Sequence, residues 1–271
     1  MASPKQTVLD TLPDLPEGGP PALVVEAITR GLIALGNQED EQGVKQFMPG
    51  LDRAYGVRVP LLRAIGKVIA ETYKEDPHLV RSIALGSWPR GTREHRLVAL
   101  FTLEALKLNA ADAWEIGLQF LHDVVTWDHC DQLCSTLLGY ALALDPNYMD
   151  QLEAWLYDDN QWVRRAALVS TTYLRRASFA NEVALSLDRR ALAMCYTLLM
   201  DEADYVRKAV DWAIREVMRR HYDLGRDWLL ERAGEQPPRR SQTILKLSAK
   251  KLSKPDREQF LTILSSEGTP S

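Results

Sequence analysis

Apolar residues recur along this chain at intervals of three and four, and almost nowhere at intervals of two. Between positions 23 and 35, Leu23, Val24, Ala27, Ile28, Leu32 and Leu35 trace one helical stripe, and Gly36 stands where such a helix would stop. In VPLLRAIGKVIAETY, Pro60 suits a first helical turn, where its missing N–H leaves no bond unmade. Leu62, Ile65, Val68 and Ile69 form the apolar stripe of that helix. The Asp–Pro steps in DPHLV and LDPNYM mark two further helix entries. No strand-like alternation of useful length occurs. The pattern predicts an all-α chain of about a dozen or more short helices joined by short connections.

A weak internal repeat refines this prediction. WVRRAALV begins at Trp162 and YVRKAVDW begins at Tyr205, 43 positions later, and REHRLVAL at Arg93 is related to both. A period of roughly 40–47 residues with two helices in each unit is the signature of HEAT-like solenoids. One helix pair cannot bury its own apolar face, so neighbours stack. The expected architecture is a HEAT-like helical-repeat solenoid whose inner helices line a concave binding groove. Residues 1–21 hold five of the 14 prolines together with Gly18 and Gly19, a composition expected of a disordered arm. A single domain is expected over 22–265 and a disordered tail over 266–271.

Composition narrows the function classes. The chain has 271 residues, is 46% hydrophobic and 26% charged, and contains no apolar run long enough to span a membrane. The first residues lack the apolar segment of a signal peptide. Cys130, Cys134 and Cys195 form no disulfide framework, which points to a reducing cytoplasm. No dinucleotide or P-loop glycine motif, H-E-x-x-H or G-x-S-x-G elbow is present, so no cofactor is expected. His129, Cys130 and Cys134 read as core residues and not as metal ligands, because no second ligand cluster accompanies them. The net charge is −4, but it is uneven: residues 1–140 carry −5 and 141–271 carry +1. Positions 164–190 carry six arginines against Glu182 and Asp188. Positions 239–257 carry Arg239, Arg240, Lys246, Lys250, Lys251, Lys254 and Arg257 against Asp256 alone. Taken singly, each run reads as a solvated helix face; a basic groove on a mildly acidic body is the sharper reading.

The candidate chemistry lies in three segments. Trp127 and Asp131 stand four residues apart in TWDHCD and share a helix face. Arg165 stands in NQWVRRAAL and Trp212 in YVRKAVDWAIRE, with Lys208 one turn before it. Each has an ordinary structural reading: Trp127 and Trp212 as core, Arg165 as a surface arginine, and Asp131 as a first-turn carboxylate favoured by the helix dipole. Together they supply what cleavage of an N-glycosidic bond to an alkylated base needs. An ionised carboxylate stabilises the oxocarbenium-like sugar, indole faces stabilise developing positive charge, and a guanidinium holds a phosphate. A ring-alkylated base is already cationic and leaves neutral, so no general acid is required.

These segments, with YGVRVPLLR at 55–63 and DDNQWVRRAAL at 158–168, resemble the DNA alkylation repair (AlkD-like) family of HEAT-like DNA glycosylases over about residues 22–253. The resemblance implies that Asp131 is the catalytic carboxylate and that Trp127 and Trp212 contact the deoxyribose of the lesion. It implies that Arg165 contacts the DNA backbone, and Phe47, which replaces a tyrosine of the family, Arg164 and Lys208 complete the expected DNA-contacting set. The implied activity is monofunctional excision of positively charged N3- and N7-alkylated purines such as 3-methyladenine and 7-methylguanine. Bulky adducts are tolerated, because the base is not drawn into a tight pocket. The implied partner is duplex DNA, bound by a monomer with strong salt sensitivity. A non-catalytic HEAT scaffold binding nucleic acid or protein is the alternative, and a self-resistance enzyme against a DNA-alkylating natural product is a second.

Overall fold

The structure, a computed structural model, describes residues 3–12, 15–16, 18–48 and 50–266, and no strand occurs among them. The all-α expectation holds. The chain divides into two compact units, Met1–Leu138 and Gly139–Ser271. The first contains α1 (Pro4–Thr11), α2 (Pro21–Leu35), α3 (Gln38–Phe47), α4 (Val59–Thr72), α5 (Pro77–Ser87), α6 (Arg93–Leu106), α7 (Ala110–Leu121) and α8 (Trp127–Leu133). A π-helical segment, Cys134–Leu138, follows α8. The second contains α9 (Gly139–Leu144), α10 (Met149–Ala154), α11 (Gln161–Thr171), α12 (Asn181–Thr197), α13 (Asp204–Arg220), α14 (Tyr222–Gly234), α15 (Arg239–Ser248) and α16 (Lys254–Ser265).

Local chemistry sets most of the boundaries. Asp76 caps α5 by accepting from Leu79 N at 3.0 Å, and Thr92, Asn109, Thr126 and Asn160 cap α6, α7, α8 and α11 in the same manner. Gly36 follows α2 as expected. In the first unit α4 and α5 pack on α6 around Leu62, Ile65, Leu100 and Phe101. The approach of α4 to α6 is close: a Cβ on Gly66 would lie 2.7 Å from the backbone carbon of Phe101. In the second unit α11, α14 and α15 pack on α13, and α16 packs on α14, around Leu168, Val210, Leu245 and Phe260.

The 43-residue repeat is visible as shared side-chain chemistry. Arg164 Nη1 donates to the carbonyls of Asp158 and Asp159 at 2.6 and 3.0 Å. Arg207, 43 positions on, donates to the carbonyls of Asp201 and Glu202 at 2.5 and 2.7 Å. Each arginine ties the loop before its helix to the first turn of that helix. The ring preceding each of them, Trp162 and Tyr205, meets the other at 5.3 Å between centroids.

The disordered arm expected over 1–21 is corrected where the chain is described. Ser3 caps α1, Val8 is completely buried and α1 packs on α4. Lys5 pairs with Glu71 at 2.6 Å, and Tyr73 donates to the carbonyl of Pro16 at 2.8 Å. The proline count concealed a short amphipathic turn in which Val8 and Leu12, four apart, face inward; Leu12 closes against Gly31. Of the tail expected over 266–271, Ser266 ends the described chain and 267–271 lie outside the described residues, as do 1–2, 13–14 and 17 of the arm.

Burying one Val side chain contributes about 1.5–3 kcal/mol. Val8→Asp should therefore detach α1 without unfolding the unit. Amide exchange would lose its protection over residues 5–12 and keep it in α6; retained protection at 5–12 would mean that α1 is held by something other than Val8.

Candidate functional site

The site is built from the first turn of α8 outward. Thr126 caps the helix by accepting from His129 N, so Trp127 is its first residue. This corrects one expectation. Asp131 stands in the second turn, beyond the short reach of the N-terminal dipole, and the first-turn acid is Asp128. Asp128 is buried and accepts from Arg93 Nε at 2.7 Å.

Arg93 and Glu94 form the support beneath this face. Glu94 is fully buried, and its carboxylate accepts the amides of Tyr55, Gly56 and Val57 at 3.0, 3.1 and 3.3 Å. Arg93 Nη1 donates to the Val57 carbonyl at 3.2 Å while its Nε holds Asp128. One dipeptide at the start of α6 thus ties the loop before α4 to the first turn of α8. Gly56 makes the loop conformation accessible: its φ is +73°, and a Cβ there would lie 2.1 Å from the Asn37 carbonyl.

That loop and α3 wall an open groove of about 650 Å³ beside Trp127. Val44, Phe47 and Met48 supply its apolar side, and Glu39 and Asp40 its acidic side, with Arg58 Nε on Asp40 at 2.9 Å. The Trp127 indole N–H donates to the main-chain carbonyl of Phe47 at 3.3 Å, and the Phe47 ring itself is 72% exposed. Trp127 and Asp131 are half-buried and occupy one face of α8. The first unit therefore brings together Phe47 and Trp127, with Asp131 one turn after Trp127 on α8.

His129 lies under the same helix, fully buried, 6.5 Å from the ring of Trp88, with no partner for either ring nitrogen among the described residues. Burial pushes its pKa down to about 3, helped by Arg96 and Arg93. His95 is pushed down to about 4, first by burial and then by Arg90 and Arg53.

The second unit positions the remaining candidates. Trp212 is half-buried on α13, and its indole N–H donates to Glu216 Oε1 at 3.2 Å. Glu216 is 7% exposed, with Arg219 Nη1 at 2.6 Å and Arg175 Nε at 3.0 Å. Lys208 is exposed, its ammonium 5.0 Å over the Tyr205 ring. Arg165 is only 5% exposed, and its Nη1 donates to the carbonyl of Tyr205. It is not an open surface hook for phosphate. Arg164 departs further from expectation. Besides the two loop carbonyls, it holds Asp201 through Nε at 2.7 Å and Nη2 at 3.1 Å, so its guanidinium is committed within the fold. The repeat carried the signal: Arg207, its counterpart, makes the same loop contacts. Arg93, Glu94 and Glu216 were not singled out in the sequence. Only Arg93 and Glu94 carried a hint, through the place of REHRLVAL in the repeat.

A family model for DNA alkylation repair enzymes matches residues 28–252. The chain belongs to the DNA alkylation repair enzyme family. No curated protein matches it significantly. Membership assigns a role in the repair of alkylated DNA, with DNA as the substrate. In this DNA alkylation repair enzyme the matched span contains Trp127, Asp131, Arg165 and Trp212.

Two outcomes follow. The unfolded pKa of histidine, near 6.5, exceeds both depressed folded values, so protonation favours the unfolded chain and stability falls as pH drops below about 6.5. At about pH 5, His129 should account for about 2 kcal/mol of this loss. Urea denaturation of His129→Leu should show a correspondingly smaller loss between neutral pH and pH 5, and an equal loss would exonerate His129. In Glu216→Ala the Trp212 indole N–H loses its acceptor, so its proton resonance should move upfield and exchange faster, while Glu216→Gln retains it. An unmoved resonance in the alanine variant would mean that packing alone orients the ring.

Proposed function

We propose that the chain is a monofunctional DNA glycosylase that excises cationic N3- and N7-alkylated purines from duplex DNA. The observation that carries this reading is the pairing of Asp131 with Trp127 on one open face of α8, within the span matched by the family. In the reaction the C1′–N bond breaks and its electron pair passes to the base, cancelling the positive charge of the alkylated ring. Asp131 stabilises the sugar cation left behind, and water adds to C1′ with loss of a proton. A preorganised charge of this kind contributes roughly 3–4 kcal/mol to the barrier, or about 10²–10³ in rate. The Trp127 face adds attraction for positive charge. In the second unit Lys208 offers an open cation to phosphate.

The groove beside Trp127 leaves room for the departing base. Its polar wall carries Glu39, the Asp40–Arg58 pair and Arg93. Breadth of adduct size follows from its openness. No residue requires a metal or a prosthetic group in this scheme.

Asp131→Asn should lower release of 7-methylguanine from methylated duplex by about 10²-fold or more while duplex binding stays nearly intact. Chromatography of free base, with anisotropy for binding, measures both. Wild-type release by the variant would remove Asp131 from the chemistry and leave the chain a DNA-binding helical scaffold.

A further inference from the structure

The second unit ends in a cationic surface with no part in the chemistry above. Arg239, Arg240, Lys246, Lys250, Lys251, Lys254 and Arg257 are all exposed, and none forms an ion pair among the described residues. Elsewhere in this unit several arginines are bound to carboxylates: Arg190 to Asp150 and Glu153, Arg207 to Asp204, Arg215 to Asp211, Arg220 to Asp188, Arg226 to Asp223 and Arg232 to Glu231. The acid nearest the run in sequence, Asp256, is already engaged by Ser253 Oγ and Tyr222 OH at 2.6 Å each. These hydroxyls hold its carboxyl below the ordinary range, so it stays ionised but occupied.

The placement is ordered. On α15, Ser241, Ile244, Leu245 and Ser248 face inward. Arg239, Lys246 and Lys250 recur at i, i+7 and i+11 along one outer stripe, and Arg240, Leu247 and Lys251 recur along the next. The stripes run the length of α15 and the turn Ala249–Lys251, about 21 Å, which matches about six phosphates of one strand. The inner face of α15 is tied to α13. Ser248 Oγ donates to Asp211 Oδ1 at 3.0 Å, and Asp211 immediately precedes Trp212.

We infer that α15 and the turn after it form an auxiliary track for the phosphates of duplex DNA. The track rests on the proposed reading of duplex as substrate and adds affinity, not chemistry. Paired arginines stabilise the fold, whereas exposed unpaired cations remain available to displace counterions from a polyanion. A membrane surface fits less well. An interfacial helix needs a broad apolar face turned outward, and α15 offers Leu247 alone, 40% exposed, between cations.

The test uses the full chain and an undamaged duplex of about 24 base pairs, with anisotropy titrations between about 50 and 200 mM salt. The triple variant Lys246→Gln, Lys250→Gln, Lys251→Gln should lower the slope of log K against log salt by about 2–3. Over that range wild-type affinity should consequently fall about 16- to 64-fold more than that of the variant. Lysine-to-arginine changes at the same three positions should retain the wild-type slope. An unchanged slope in the glutamine variant overturns the track, and so does an equal drop in the arginine variant. Capture of wild type but not the glutamine variant by phosphatidylserine vesicles, with the duplex slope unchanged, assigns the surface to lipid and also overturns it. Release of 7-methylguanine by the wild type, assayed alongside, reports on the glycosylase reading separately.

Discussion

The first unit depends on a buried ion pair at the start of α6. Glu94, out of contact with water, takes three successive backbone amides, and Arg93 beside it takes a carbonyl of the same loop and the carboxylate of Asp128. Removing a single partner from such a set leaves an uncompensated charge in a poorly polarisable interior, which makes the arrangement all-or-none. Its position explains why it is there. The loop before α4 has no regular structure of its own, and α8 is seven residues long, so neither holds its place by helix length. Both are positioned by the same two side chains, and the open face bearing Trp127 and Asp131 inherits that rigidity.

Much of the fold was legible in the sequence because it is governed by local rules. The stripe at 62–69, the stop at Gly36 and the Asp–Pro helix entries all report on chemistry within a turn or two. The repeat of WVRRAALV and YVRKAVDW was also legible, since stacked helix pairs reuse one solution to the problem of burying a face. What escaped was set at longer range. Composition pointed to disorder at 1–21 because prolines outnumber core residues there, yet Val8 and Leu12 find their partners on helices formed later in the chain. Arg93, Glu94 and Glu216 looked like ordinary helical charges, and only folding reveals that each is buried and bonded. Arg164 was misread for the opposite reason. An arginine next to a candidate site suggests phosphate, and the carboxylate that engages it, Asp201, is 37 residues away.

The two kinds of charge in the second unit express a division of labour. Carboxylate-bound arginines bind loops and helix ends into one body, and their positive charge is largely cancelled in the field they present outward. The cations of α15 and the adjoining turn lie on the surface with nothing to cancel them. A chain that is acidic in total can therefore present a locally positive face, since what an approaching polyanion meets is the unpaired fraction and not the sum.

The bond from Trp127 to residue 47 has an evolutionary consequence. The indole is anchored to a main-chain oxygen, which every amino acid possesses, and not to the ring projecting beyond it. Position 47 is thereby released from any duty to hold the tryptophan and is left at liberty to change at the mouth of the groove. A lineage could exchange its aromatic residue here, trading a phenol for a phenyl, and retune what the groove admits while Trp127 stays where it was.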